Sequence, residues 1–310
     1  MACTQGSQAK FLVDTDATFD GSSERYDFIY ETMQKKGRIV GARSITGSRK
    51  QLTERTRVGA YATEGRIAMY MNPADLDLWL PRILGTAEST DVFDVAEDLS
   101  SFPFFMLIDK VGGVFRYDTC YINRAIFRSR GGPAQAEGNM VEMILEIFAT
   151  NEVTEGVSFP GSAPTLGVAA NRAPYLFSDS SGAVTINSNV HAIKDFVLVI
   201  DNHLERRWTN STTPTEICPK DRSILLRVGN AYTTTNDPLL YGLSAAATGV
   251  AGTLVFTNST ISTTFTFSGL QWADNAPTVQ GKREIPLYID FYGRSLAGGV
   301  DIQVNNDSVV

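Results

Sequence analysis

The sequence predicts a mostly β protein with two tandem β domains, each with a short flanking helix. Glycine supplies 26 of the 310 residues, and segments rich in Thr, Ser and Asn favour turns and strands over long helices. Short runs of Val, Ile, Phe and Tyr recur between these turns, and their order repeats in the two halves of the chain. With 43% hydrophobic residues, the chain can bury packed cores.

The first half begins with a polar segment and continues as strands. Residues 1–37 predict an N-terminal arm, with a short helix around residues 23–37. From Arg38 onward, apolar and β-branched runs broken by Gly and charged turns indicate a first β domain over residues 38–150. Its predicted strands are residues 38–47, 57–71, 102–109, 115–127 and 139–149.

A helix interrupts these strands after Asn72. Asn72 is a suitable N-cap, Pro73 fits the first helical position, and Asp75 interacts favourably with the helix dipole. Gly85 is expected to end the helix. Four residues at helical spacing predict its buried face: Leu76, Trp79, Leu80 and Ile83.

The second half repeats this order after a Gly-, Ala-, Pro- and Ser-rich linker over residues 151–185. A second β domain is expected over residues 186–295, followed by a C-terminal tail over residues 296–310. Asn236-Asp237-Pro238 predicts the start of its short helix. The predicted strands are residues 191–201, 221–229, 252–258, 262–272 and 283–293.

Charge is distributed in two neighbouring blocks of opposite sign, although the chain carries a net charge of only −7. Residues 35–66 contain nine basic and two acidic residues, whereas residues 71–109 contain eight acidic residues and Arg82. The blocks could pair within one subunit as solvated faces. Alternatively, each block meets its opposite on another copy, which would fix the register of self-assembly.

Nothing in the sequence indicates an enzyme or a cofactor site. It contains no phosphate-binding glycine loop, no GxGxxG, no GxSxG and no HExxH, and the three cysteines lie far apart. His191 and His203 are the only histidines, so a Ser-His-Asp triad would need one of them with a remote serine. We therefore expect no catalytic residue, no metal and no cofactor.

Period-two alternation predicts one core face and one mixed face in the last strand of each half. The expected core residues are Val141, Met143, Leu145 and Ile147 in the first half, and Ile285, Leu287, Ile289 and Phe291 in the second. The opposite face carries carboxylates, which would line the channel and repel a nucleic-acid backbone if copies closed into a ring. These lumen-facing candidates are Glu142, Glu146, Glu284 and Asp290.

The segment KDFVLVIDNHLERRW, residues 194–208, resembles a strand of the tail tube proteins (major tail proteins) of long-tailed bacteriophages. The strand DRSILLRVG, the helix ADLDLWLPRILG and the closing β hairpin add to the resemblance, which covers most of residues 38–295. The family implies β-sandwich or barrel domains that assemble into stacked rings around a hollow tube for DNA. The duplicated order implies a trimeric, pseudo-hexameric ring; a hexameric ring is the alternative.

This resemblance also implies the partners and the location of the chain. The partners would be further copies of the chain together with tape-measure, tail-terminator and distal-tail proteins, and DNA would pass through the lumen without specific binding. The location would be the virion tail, assembled in the host bacterial cytoplasm, with no membrane contact. The expected subunit and ring contacts are Arg43, Arg49, Lys50, Arg55, Arg57, Asp201, Leu204, Glu205, Arg206, Arg207 and Trp208.

Two other functions remain open from the sequence. The chain could be a β-rich receptor-binding or decorating virion module, for which Trp208 is the one tryptophan expected at a loop edge. It could also be a hydrolase with a hidden site, in which case His191 and His203 would be the first residues to replace by alanine.

Overall fold

The computed structural model describes residues 6–41, 56–130, 140–154, 156–161, 172–180, 184–231, 249–272, 286–296 and 298–308. Over these residues the protein is mostly β, as predicted, with one α-helix, α1 (Pro73–Leu84). The first nine strands are β1 (Lys10–Asp14), β2 (Glu24–Tyr26), β3 (Tyr30–Glu31), β4 (Gln34–Gly41), β5 (Thr56–Tyr70), β6 (Val92–Phe93), β7 (Phe104–Asp109), β8 (Val114–Arg130) and β9 (Glu142–Val153). The later strands are β10 (Val184–Ile186), β11 (Asn189–His191), β12 (Asp195–Asp201), β13 (Glu205–Arg207), β14 (Glu216–Cys218), β15 (Ser223–Ala231), β16 (Val250–Asn258), β17 (Ile261–Trp272), β18 (Pro286–Arg294) and β19 (Gln303–Asp307).

Six of these strands form a central antiparallel sheet in the order β5-β9-β8-β12-β15-β18. Its inner face is aliphatic and aromatic, because alternate residues of each strand point to the same side. The predicted core face of β9 is confirmed, as are Ile289 and Phe291 of β18. Ile285 lies outside the described residues, as does the side chain of Leu287. The inner face includes Met143, Leu145, Ile147, Phe127, Phe196, Leu198, Ile200, Ile224, Leu226, Val228, Ile289 and Phe291.

The predicted helix is confirmed in its bounds, its caps and its buried face. The side chain of Asn72 accepts a hydrogen bond from the backbone N–H of Asp75 at 2.9 Å. Gly85 follows the helix at φ 84°, in the left-handed region that glycine adopts at helix ends. The four residues of the predicted apolar face, Leu76, Trp79, Leu80 and Ile83, are all fully buried.

Both terminal regions contribute strands to the sheet and side chains to the core. The helix expected around residues 23–37 is wrong, because β2, β3 and β4 occupy this stretch. The segment expected as an arm contains β1, which pairs with β2 and β7 and buries Phe11 and Val13. In the region expected as a tail, β19 pairs with β17 and β6 and buries Val304. These strands are only two to eight residues long, and so short a run carries too weak an alternation to be read from sequence.

The two halves share one sheet and one core. β8 and β12 pair over seven residues, from Arg124 opposite Asp201 to Arg130 opposite Asp195. One continuous cluster of buried side chains extends from Phe11 to Val304. The division into two tandem domains is therefore not confirmed, and the second predicted helix, near Pro238, lies outside the described residues.

The pattern of strand pairing nevertheless occurs twice with matching registers. β1 pairs with β2 and β7 as β10 pairs with β11 and β16. Each half also contains a backbone hydrogen bond of 2.7 Å outside the regular strand pairing, at matching positions. In the first half the N–H of Ile29 donates to the carbonyl of Ala68, and in the second half the N–H of Lys194 donates to the carbonyl of Gly229. The matching pairs are Phe11–Tyr26 and Val184–His191, then Phe11–Ile108 and Val184–Leu254.

A β-bulge falls at the same position in both halves. In each case one residue of the first strand faces two of the second between the flanking pairs, and a bulge of this kind bends the sheet. The pairs on either side of the bulge are Phe104–Cys120 and Met106–Tyr117 in the first half, and Val250–Leu270 and Gly252–Phe267 in the second.

Candidate assembly surface

The charged segment at the end of β12 begins with Asp201, which is held by contacts within the chain. Asp201 is buried, and its carboxylate accepts a hydrogen bond of 2.6 Å from Nε of Arg124 on β8. It also accepts the backbone N–H of His203 at 2.9 Å. This ion pair bridges the two strands that join the halves. A subunit contact at Asp201 stays a prediction.

Asn202 is a structural residue that the sequence reasoning missed. Its Nδ2 donates to the carbonyls of Ile83, in α1, and Ile122, in β8, both at 3.1 Å. Its backbone N–H donates to the carbonyl of Asn123 at 2.8 Å. The side chain thus satisfies a carbonyl at the end of the helix and fixes the helix on the sheet. An amide directly after a buried strand was the only available signal.

The contact Asp201–His203–Ser223 has the order of side chains found in a hydrolytic triad. Nε2 of His203 lies 2.9 Å from Oγ of Ser223, and its Nδ1 lies 3.4 Å from the carboxylate of Asp201. A histidine so placed could accept a serine proton. The Nδ1 distance is longer than a normal hydrogen bond, however, and Asp201 is already paired with Arg124.

The residues after His203 form a hairpin, β13–β14, that packs on the sheet. Leu204 is buried in a small cluster with Leu99 and Ile217. Trp208 remains 42% exposed, and its Nε1 lies 3.4 Å from the carbonyl of Tyr61 on β5. The predicted apolar anchors therefore differ: Leu204 is covered by its own chain, while Trp208 presents part of its ring to solvent.

The charged residues of this hairpin also differ in exposure. The side chain of Arg206 is 11% exposed; its guanidinium lies 3.5 Å from the ring centre of Phe148 and donates to Glu64 at 2.7 Å. Replacing Arg206 by Glu would place two carboxylates together and perturb the isolated chain. Glu205 and Arg207 are exposed and pair with Lys220 and Glu216. Arg207 is thus the better residue for testing a contact between copies.

Two opposing effects act on the pKa of the Glu64 carboxylate. Burial raises its pKa, but hydrogen bonds and charge interactions from Lys36 and Arg206 outweigh this effect and lower the pKa overall. Lys36 Nζ lies 2.7 Å from Glu64, so this carboxylate links β4, β5 and the β13–β14 hairpin. The ion pairs of this part of the surface therefore meet at Glu64.

The outer face of the central sheet carries two rows of charge. In the first row, Arg66, Glu146, Arg124 and Asp201 lie directly opposite one another on β5, β9, β8 and β12. Glu146 forms ion pairs with both Arg66 and Arg124. In the second row, Arg128 pairs with Glu142 at 2.8 Å and Arg227 pairs with Asp290 at 2.6 Å.

These pairs bring three of the four lumen-facing candidates onto one face. Glu142, Glu146 and Asp290 lie on the same side of one sheet, while Glu284 lies outside the described residues. Each of the three carboxylates has an arginine partner, so positive charges balance the acidic residues of this face. The sequence reasoning missed this balance because the arginines lie on other strands, and only the register places them opposite the acids. Whether the face lines a channel stays a prediction.

An apolar row separates the two rows of charge. Ile126, Val199 and Leu225 lie opposite one another and are half-buried, and the row ends at Tyr292, which is 41% exposed. Tyr288, on the same face of β18, is 50% exposed. The outer face thus combines paired charges with aliphatic and aromatic surface, a composition typical of protein interfaces.

A two-stranded ribbon extends the sheet beyond β9. Over residues 37–41 and 56–61, β4 pairs with β5. Ile39 and Val58 face each other across this ribbon and are 74% and 70% exposed, and Val40 is 53% exposed. Arg57 is exposed beside them. The other predicted contacts of this region, Arg43, Arg49, Lys50 and Arg55, lie outside the described residues.

The charged residues of the two blocks form their described ion pairs with other residues of the same chain. In the basic block, Lys36 pairs with Glu64 and Arg66 pairs with Glu146. In the acidic block, Asp75 pairs with Arg172 at 3.0 Å, and burial raises the pKa of Asp75. Glu88, Asp94, Glu97 and Asp98 of the acidic block are exposed.

Among the described residues, no group of three His, Cys, Asp or Glu side chains could hold a metal ion. None of the helices in the part of the chain that the structure describes is long and apolar enough to cross a membrane. The sequence matches no known protein-family model, and no curated protein matches it.

Proposed function

We propose that this chain is a structural virion protein whose copies assemble into stacked rings and form the hollow tail tube of a long-tailed bacteriophage. The resemblance of residues 194–208 and of the helix after Asn72 suggests the family. The repeated strand pairing supports assembly from like units. DNA would pass through the lumen during ejection, and the neighbouring proteins would be a tape measure, a tail terminator and a distal-tail protein.

One observation carries this proposal: the two repeated sets of strands are joined edge to edge by β8 and β12. A chain that already contains one junction between two similar β units can form the same junction with other copies. Because rings built from such junctions close the free edges of sheets, they remove a feature that otherwise leads to aggregation. We infer that the two units arose by duplication and that three copies make a pseudo-hexameric ring; six copies are the alternative.

The exposed ribbon supports contacts between rings. Ile39, Val40 and Val58 present aliphatic surface on a narrow two-stranded element, which the described part of the core leaves exposed. Residues of this kind are expected to pack against another copy. The exposed acidic residues that follow α1 offer a surface of opposite charge to the basic block around the ribbon.

Electron microscopy of the purified protein tests the proposal. Negatively stained protein, alone and co-expressed with a tape-measure and an initiator protein, should show stacked rings with an open centre. Arg207→Glu should weaken assembly while the monomer keeps its circular dichroism spectrum, because Arg207 is exposed. Discrete particles under all conditions would instead favour the receptor-binding or decorating module.

A second candidate function, ester or amide hydrolysis, is favoured by the contact of His203 with Ser223 at 2.9 Å. A fluorophosphonate probe would react covalently with an activated serine. Labelling of the wild-type protein that disappears in both Ser223→Ala and His203→Ala would support this function. Absence of labelling in the wild-type protein would eliminate Ser223 as a nucleophile.

A further inference from the structure

The last strands of the two halves, β9 and β18, relate the residues of one half to those of the other. Cys120 lies opposite Ala149, and Leu270 lies opposite Gly293, at the bulge of each half. Three residues earlier in each strand, a carboxylate forms an ion pair with an arginine directly across the sheet. These matching ion pairs are Arg66–Glu146 and Arg227–Asp290. β5 therefore corresponds to β15, and residues 30–36 beside β5 correspond to β12 beside β15.

By the same count, the β4–β5 ribbon is the counterpart of the β13–β14 hairpin. Lys36 lies opposite Ala62 as Asp201 lies opposite Ser223, and beyond these pairs the register of both elements shifts by one residue. After the shift the cross-strand pairs match again. The matching pairs are Val40–Arg57 with Glu205–Cys218, and Gly41–Thr56 with Arg206–Ile217. Ile39, one residue before them, corresponds to Leu204.

The hairpin lies on the first half of the chain through one of its faces. Leu204 and Ile217 are buried in a small cluster, and Phe148 of β9 packs against it. The guanidinium of Arg206 lies 3.5 Å from the ring centre of Phe148 and pairs with Glu64 of β5. These hairpin residues share one face, because Leu204 and Arg206 are two residues apart and Ile217 lies opposite Arg206.

The second half carries the matching surface on β15 and β18. Tyr292 corresponds to Phe148 and Leu225 corresponds to Glu64, and each pair lies directly opposite across its strands. Phe148 is half-buried beneath the hairpin, whereas Tyr292 is 41% exposed. The cation described over the Tyr292 ring is Arg294 of the same strand, at 5.8 Å. The surface that the hairpin covers in the first half is therefore accessible in the second.

We propose that the ribbon of one copy docks on Tyr292 and Leu225 of a second copy, as the hairpin docks on the first half of its own chain. Ile39 and Val58, which lie opposite each other, would make the contact. Ile39 is 74% exposed, although its counterpart Leu204 is buried. This inference rests on the proposed self-assembly and identifies two surfaces that would meet in it.

The side chains that differ between the two interfaces differ in a complementary way. In the hairpin interface Arg206 pairs with Glu64 at 2.7 Å. At the matching positions the ribbon has Gly41 and the second half has Leu225, so the positive and the negative charge are both replaced. Loss of one charge alone would leave its partner unpaired in the contact, which is costly. The ribbon and the surface around Tyr292 therefore suit each other, which identifies the occupant as a second copy of this chain.

The two surfaces lie at opposite ends of the strand order within one chain. The ribbon extends β5, the first strand of the order β5-β9-β8-β12-β15-β18, and Tyr292 lies on β18, the last. The closed junction, β8 with β12, joins the two halves inside the chain. A second copy would join them between chains. Such a head-to-tail contact generates a ring when its rotation closes.

Disulfide cross-linking between copies tests the docking directly. Full-length Tyr292→Cys is mixed with either Ile39→Cys or Val58→Cys, assembled and oxidised. A disulfide requires Cβ atoms within about 4.5 Å of each other, so a covalent dimer reports a close contact between copies. At least one of the two mixtures should give a dimer on non-reducing gel electrophoresis. Assemblies of each variant alone measure the background from the native cysteines.

Val40→Cys is the matched control on the same ribbon. Val40 is also exposed, at 53%, but it lies next to Ile39 and therefore points to the opposite face. Mixed with Tyr292→Cys, it should give at least about fivefold less dimer than the better of the other two variants. Circular dichroism of the unassembled variants checks that each is folded.

The outcomes separate this inference from the proposed function. If the protein assembles but neither Ile39→Cys nor Val58→Cys gives more dimer than Val40→Cys, the ribbon docks elsewhere and only this inference is wrong. If the wild-type protein stays monomeric under all conditions, both the self-assembly and the docking are wrong.

Hydrogen exchange of the wild-type protein decides the matter if a cysteine variant does not assemble. Peptides over residues 37–41 and 56–61 should become protected at least about tenfold on assembly. Peptides over β12, residues 195–201, serve as the internal control and should be protected in both states. Equal exchange of the ribbon before and after assembly would overturn the docking.

Discussion

The strand β12 and its counterpart, residues 30–36, have similar positions in the sheet but opposite surroundings. β12 lies between β15 and β8, and its inward residues Phe196, Leu198 and Ile200 are fully buried. In the described part of the chain, residues 30–36 pair with β5 alone and form an open edge that is rich in polar side chains. The carbonyl of Met33, the buried residue of this edge, accepts hydrogen bonds from Nζ of Lys110 at 2.9 Å and from the hydroxyl of Tyr117 at 3.2 Å. The difference shows that one pairing scheme can serve as a permanent junction in one half and as an open edge in the other.

The side chains explain why the first junction is permanent. β12 carries an unbroken apolar run and ends in Asp201, whose ion pair with Arg124 spans the two strands. The open edge instead carries Lys35 and Lys36, and lysine on an edge strand discourages uncontrolled pairing. The closed junction and the open edge therefore differ in charge as well as in pairing.

The largest effect is expected from breaking the ion pair of the closed junction. Arg124→Met would leave the buried carboxylate of Asp201 without its guanidinium partner, and we expect a loss of about 3 kcal/mol in the free energy of unfolding. This lies at the low end for buried pairs because Arg124 is itself 37% exposed. Urea denaturation of the monomer measures the change.

The control is Arg128→Met on the same strand. Its pair with Glu142 is more exposed, at 51% and 31%, so its loss should cost about 0.5 kcal/mol. Equal losses for the two variants would show that the bridge between β8 and β12 does not hold the halves together.

A second, smaller effect is expected where β3 and β4 approach β5. A Cβ at Gly65 would lie 2.5 Å from Cα of Met33, so Gly65→Ala requires the backbone of the open edge to move. We expect a loss of about 2 kcal/mol in unfolding free energy, together with faster exchange of residues 30–36. Thermal unfolding and exchange of the monomer measure the two effects.

Gly37→Ala is the matched control for this clash. A Cβ at Gly37 would lie 3.9 Å from Cβ of Tyr61, an ordinary contact, so the variant should be close to neutral. Closely similar stabilities of the two alanine variants would mean that the edge can yield without cost and is poorly defined in the monomer.

The smallest effect is the pH dependence that Glu64 contributes beside the open edge. Its folded-state pKa is lowered, so its contribution to stability is present above the unfolded pKa, about 4.3, and is lost as the pH falls through the folded pKa. Glu64→Gln should remove this part of the acid-dependent loss, about 0.5 kcal/mol. Denaturant midpoints measured from pH 5 to pH 3 test it; an unchanged slope in Glu64→Gln would exclude this role.

The sequence predicted the features that depend on local patterns. The helix after Asn72 was predicted correctly because its cap, its proline and its apolar spacing agree, and the core face of β9 follows from its period-two pattern. Strand pairing between distant segments could not be predicted. The arginine partners of Glu146 and Asp290 depend on cross-strand register, and the continuity of the sheet depends on β8 meeting β12.

Short strands and the roles of single polar residues could not be predicted from the sequence either. β1 and β2 are five and three residues long, and their place in the core depends on β1 pairing with both β2 and β7. Asn202 reads as one more polar residue in a charged segment, although it joins the helix to the sheet. The Asp201–His203–Ser223 contact required the fold to bring β12 and β15 together.

Electron cryomicroscopy of the assembled protein tests the central claim most directly. The map should show rings of three copies, each copy contributing two similar β units, stacked around an open channel. Discrete particles without a channel, or rings in which the two units of a copy are not arranged alike, would contradict the account.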